Sequence, residues 1–209
     1  MSKRLAPVLV GLTLLFGGCD HGPVSSPSPR AQQPSPVDPH VTVRAELAAH
    51  RAQELDRLRQ YSRAGAFPVN TTQGPTGHFF KDVAGHYCAV ANLVHQDGRD
   101  DLVDSVVRTN NALVISEVHD GPLYDWILAS GFTQEELARI QAPARRVRSP
   151  SQRPTLVAAN PSPVITVDQM REAVRAHLAT VEAELLRNTD ESLDRATDRL
   201  LQAHPPAAT

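Results

Sequence analysis

CAVANLVHQDGRDDLVDSVVRTNNALVISEVHDGPLYDWILASGFTQEELARIQ, residues 88–141, decides the fold. Apolar side chains recur through it at helical spacing and are punctuated by glycine. Beyond Cys88, residues Ala89, Val90, Leu93 and Val94 share one side of a helix that Gly98 ends. Arg99 to Asn110 reads as a second helix with Leu102, Val103, Val106 and Val107 inward, and Asp100 and Asp101 suit the positive end of its dipole. Leu113 to Val118 is a short apolar piece. Gly121-Pro122 opens a third helix through Leu123, Trp126, Ile127 and Leu128, closed by Gly131. Thr133 with Glu136 forms a capping box for a last short helix bearing Leu137 and Ile140, which stops before Pro143.

On the N-terminal side, Arg44 to Arg63 predicts a helix in which Leu47, Leu55 and Leu58 share a face. Gly65 stands where a C-terminal cap belongs, and Pro68 prevents a restart. Residues 67–77, with Pro68, Asn70, Gly74, Pro75 and Gly77, read as a loop. Phe79 to Asp82 reads as a short strand, Val83-Ala84-Gly85 as its turn and His86-Tyr87 as the returning strand. The expectation for 41–143 is therefore a mainly α, small helical domain with one short β-hairpin. About a hundred residues suffice for a real core.

On the C-terminal side, 144–165 is a basic, proline-rich linker carrying Arg145, Arg146, Arg148 and Arg153. Such residues gain about 1 kcal/mol each beside anionic lipid, although a plain solvated linker has the same composition. Residues 166–203 form an amphipathic helix with Met170, Val174, Leu178, Val181 and Leu185 along one stripe. Asn188-Thr189-Asp190 is a candidate break, and Leu193, Leu200 and Leu201 continue the apolar side. The stripe needs a partner, which the pattern leaves open between the domain, another helix and a second copy. Residues 204–209 form a tail.

The first residues have another character. Lys3 and Arg4 precede an apolar run from Leu5 to Phe16, broken only by Thr13 and by Pro7, and Gly17 and Gly18 come just before Cys19. This is the layout of a secretory signal peptide over 1–18, and its apolar run of about a dozen residues is shorter than the ~20 that span a bilayer. Leu15-Phe16-Gly17-Gly18-Cys19 resembles the bacterial lipobox, with Phe16 where an aliphatic residue is usual. That resemblance implies diacylation of Cys19 (a palmitate-type lipid anchor), cleavage before it, and a bacterial cell-envelope lipoprotein bound to a membrane. Asp20 bears on sorting between inner and outer membrane but does not decide it. Residues 19–40 then form a tether rich in Pro and Ser that cannot bury enough apolar surface to fold and extends at roughly 3 Å per residue.

A net charge of −2 excludes a general basic footprint for nucleic acid. With Cys19 lipidated, Cys88 is left alone, so no disulfide forms within the chain. Cys88 is the candidate nucleophile: it opens a helix, whose dipole lowers a thiol pKa, with His78, His86 and His95 near in sequence and His119-Asp120 downstream. The arrangement resembles transglutaminase-like and papain-like hydrolases, but the sheet that carries the histidine in those families has no counterpart here. A small buried hydrophobe is the plainer role for Cys88. His95, Asp97, Asp100, Asp101 and Asp104 form a polar cluster without metal-ligand spacing, and Arg99 among them opposes a cation. Trp126, Tyr124 and Phe132 fit a core better than a binding patch. The stretch from Phe79 to Gln141 is similar to a set of uncharacterised small bacterial proteins, a resemblance that brings no functional residues with it.

The reading these features favour is a non-enzymatic, membrane-anchored lipoprotein with no cofactor and no metal, presenting a helical domain to another envelope protein. The alternative is a cysteine hydrolase or transferase using Cys88, His119 and Asp120.

Overall fold

Helix α1 starts earlier than its apolar pattern does. Pro39 occupies the first helical position, where its fixed φ and missing N–H are an advantage, and the Asp38 carboxylate accepts from the His40 amide at 2.9 Å. α1 therefore spans Pro39–Ala64, taking in two residues that the proline-rich composition had assigned to the tether. It ends at Gly65, in the left-handed conformation with φ 66°, whose amide donates to Tyr61 O at 3.1 Å. The computed structural model describes residues 38–68, 79–142 and 166–205. Cys19, the tether as far as residue 37, His78 and the basic linker lie outside the described residues.

Six more α-helices follow among the described residues, one more than the sequence pattern predicts. α2 is Ala89–Gln96 and α3 is Asp100–Asn110. A 3-10 turn, Ile115–Glu117, fills the short apolar piece; α4 is Gly121–Ala129 and α5 is Gln134–Gln141. The Thr133–Glu136 capping box is formed in both directions. The stretch expected as one C-terminal helix is two, α6 Val167–Arg187 and α7 Thr189–Ala203, broken at Asn188. A second capping box, Thr166 with Gln169, starts α6. The expected hairpin shrinks to a single antiparallel bridge, Lys81 to Tyr87. Asp82 explains why: its carboxylate accepts from the amides of Ala84 and His86 at 2.9 and 2.8 Å, closing a tight turn at once. Asn111 then occupies the edge of Lys81, accepting from its amide at 3.0 Å and donating to its carbonyl at 2.9 Å. Among the described residues the molecule is helical without a strand.

One principal core joins these helices. Leu55, Leu58 and Tyr61 of α1 meet Val90, Leu93 and Val94 of α2, Ile127 of α4, Leu137 and Ile140 of α5, and Leu178, Val181 and Leu185 of α6. Leu47 with Leu193 and Ala196 of α7 forms a smaller cluster at the other end of α1. The C-terminal stripe thus packs on the domain, where each buried Leu or Val contributes roughly 1.5–3 kcal/mol. Gly131, between α4 and α5, permits the closest approach: at φ 77°, a Cβ there would lie 2.2 Å from Leu47 O. Only glycine lets this corner abut the α1 backbone.

Candidate functional site

Cys88 does cap a helix. It is the N-cap of α2, and its Sγ accepts from the Ala91 amide at 3.4 Å. The electrostatics are nevertheless the reverse of those expected from the helix start. Burial pushes the thiol up to about 11, outweighing the amides of Ala91 and Val90 that favour the thiolate. Tyr61 is tied to the residue before Cys88, its hydroxyl donating to Tyr87 O at 2.8 Å, and Cys88 itself is half-buried. The nearby imidazoles are otherwise engaged. His86 Nδ1 meets Asp82 at 3.0 Å; His95 Nδ1 meets Asp100 at 2.5 Å and its ring lies 5.0 Å from that of Tyr87. His119 and Asp120 are exposed in the loop before α4. The fold therefore does not join Cys88, His119 and Asp120 by hydrogen bonds.

The acidic cluster disperses in the same way. Asp100 holds His95, Asp101 accepts from Arg99 at 3.0 and 3.1 Å, and Asp97 turns to α1 and α4. Among the described residues no group of three His, Cys, Asp or Glu side chains is placed to hold a metal ion. Trp126 and Phe132 are core residues, and Tyr124 packs half-buried against the core.

Two charged clusters that the sequence reading passed over lie on α1. Arg51 is 1 % exposed. Its guanidinium donates twice to Glu136 at 2.8 Å, to Gly131 O at 3.1 Å and to Leu185 O at 2.8 Å, and it lies 4.9 Å from the centre of the Phe132 ring. Glu136 also accepts from Ser192 Oγ at 2.8 Å and from the Thr133 amide at 2.9 Å. This group locks α1 to α5 and to both C-terminal helices.

One turn further along, Glu54 is 2 % exposed. Arg57 Nη1 donates to both Glu54 Oε1 and Asp97 Oδ1. Asp97 Oδ2 accepts from the Trp126 indole N–H at 2.7 Å. The second Glu54 oxygen, Oε2, is buried with no donor reaching it. Burial, then the charge of Asp97, pushes the Glu54 carboxyl up to about 8, against the opposing pull of Arg57. The legible signal was spacing. Leu47, Arg51, Glu54, Leu58 and Tyr61 advance by four and three residues in turn, so both charges occupy positions of the buried stripe.

Comparison with protein families, with curated proteins and with solved structures finds no match to this chain.

Proposed function

We propose that this chain is a bacterial envelope lipoprotein, held to a membrane by lipid on Cys19, whose helical domain works by binding another envelope protein and not by catalysis. The observation that carries the reading is Leu15-Phe16-Gly17-Gly18-Cys19 at the end of a basic and then apolar start. Two acyl chains on one residue give stable anchoring where a single chain is marginal. Recognition by the domain is supported by the turn from Asp82 to His86. Three hydrogen bonds to the Asp82 carboxylate hold it, and it carries Val83 fully into solvent. A thiol pushed up to about 11 is poorly suited to attack a substrate.

Feeding bacterial cells that express the full chain with an alkyne-bearing fatty acid tests the anchor. The wild type should take up the label and sediment with membranes, whereas Cys19→Ser should lose both properties. A wild-type chain without label overturns the anchoring. A photo-crosslinking side chain in place of Val83 tests the binding role in the same cells. A discrete adduct with one envelope protein is expected, and an uncrosslinked chain removes this turn as the recognition surface.

A further inference from the structure

The chemistry left unused is the cluster of Glu54, Arg57, Asp97 and Trp126, where α1, α2 and α4 meet. Two carboxyl groups face one guanidinium; Asp97 is open to solvent on one side, but Glu54 is buried, so a full complement of charges leaves an ionised Glu54 where water barely reaches. The donors are divided unequally. Among the described residues, Asp97 accepts from both Arg57 and the Trp126 indole, whereas Glu54 accepts from Arg57 and its buried Oε2 meets no donor. A bare carboxylate oxygen in that position lacks the hydrogen bonds that water would supply. A proton on Glu54 removes the excess charge and leaves the negative charge on Asp97, where the N–H groups are.

Among the described residues, other charged groups on the neighbouring elements are engaged elsewhere. On α1, His50 is taken by Ala129 O, Arg51 by Glu136, Arg44 by Asp190 and Asp194, and Arg59 by Asp56 and Glu182. On α2, His95 is held by Asp100. On α4, Asp125 lies 3.8 Å from His204. Along α6, Arg175 turns to Ser62 O and Glu172; on α7, Asp198 meets His40 of α1, Arg199 reaches Glu135, and Arg195 and Glu191 face each other.

We propose that Glu54, packed beside Arg57 and Asp97, is a proton-binding site, and that losing the proton to solvent loosens the α1–α2–α4 junction. Relief comes from movement of Asp97. α1 runs unbroken through Glu54 and Arg57, while Asp97 caps the C-terminal end of α2 and is followed by Gly98 in a left-handed turn at φ 71°. Shifting this turn admits water to Glu54 and breaks the bond from Trp126 to Asp97.

The sign is determined by the direction of the shift. The folded chain holds the Glu54 proton up to about 8, whereas an unfolded chain gives up a glutamic proton at about 4.3. Between these values the folded state binds one more proton, and stability falls as pH rises. Below the window the cost is absent, and above it the cost is complete.

Unfolding the full chain in urea at a series of pH values, read by the emission of Trp126, its single tryptophan, tests the proposal. From this site the folding constant should fall by up to about tenfold per pH unit between roughly pH 5 and 8. Glu54→Gln should remove that share of the slope and be the more stable chain at pH 9; equal slopes in the two chains overturn the proposal. A second measurement needs no variant. The infrared spectrum of the native wild type should contain a protonated buried carboxyl at pH 6.5 that disappears by pH 9.5, with the same midpoint as a change in Trp126 emission. Absence of that carboxyl at pH 6.5 also overturns it.

Discussion

Arg51 and Cys88 have opposite relations to their surroundings. Arg51 is a charge buried in the core and made tolerable by Glu136, two carbonyl oxygens and the face of Phe132. Removing one member of such a pair leaves the other buried and uncompensated. Arg51→Ala should therefore lower stability by about 3–5 kcal/mol in urea unfolding, and Arg51→Met with Glu136→Leu should recover much of the loss. Cys88 is a half-buried polarisable group whose thiol the surrounding packing keeps protonated. With the thiol up near 11, the thiolate fraction at pH 8 is about one in a thousand. Alkylation of the native chain should be slow at that pH and accelerate sharply in denaturant; fast native alkylation at pH 6 would restore the nucleophile reading. Helix position and burial push a thiol in opposite directions. Position was readable from Gly85 and the apolar run after Cys88, but the burial that dominates comes from Tyr61 and the core.

At the scale of elements, local rules placed the helices well wherever the determinants are local. The Thr133–Glu136 box, the Gly65 cap and the acidic start of α3 are all formed or present as expected. The discrepancies occur where another element intervenes. Pro39 looked like part of a tether by composition, yet it serves as the first residue of α1. The hairpin was read from two short flanking segments around Val83-Ala84-Gly85, yet it stops at one bridge because the Asp82 carboxylate closes the turn at once, while Asn111, from the end of α3, holds the opposite edge of Lys81. Gly131 is the most exposed of these elements to single-residue tests. Gly131→Ala would place a Cβ 2.2 Å from Leu47 O at a positive φ, combining left-handed strain with a backbone clash. We expect a loss of about 3 kcal/mol or more, measured as a drop in urea midpoint with little change in slope.

Over the whole molecule, α6 and α7 matter most. They bury Leu178, Val181 and Leu185 in the principal core, cover Leu47 with Leu193 and Ala196, and supply Leu185 O and Ser192 to the Arg51–Glu136 pair. A chain ending before Thr166 should lose cooperative unfolding and bind an apolar dye, because the α1 face and a buried charge pair are uncovered together; a sharp, dye-free transition in that chain would show that the C-terminal helices are dispensable. By itself the sequence determined the mainly helical class, the caps and breaks of most helices, and the amphipathic stripe that needed a partner, because period, glycine and capping chemistry act within a few residues. Only the tertiary structure decided which surface that stripe covers, that Cys88 is an inward-facing cap, and that Arg51 and Glu54 are buried. The reason is physical: the neighbours that set their hydration and charge, Glu136, Asp97, Trp126 and Leu185, lie tens of residues away along the chain and come within hydrogen-bonding range only when the helices pack.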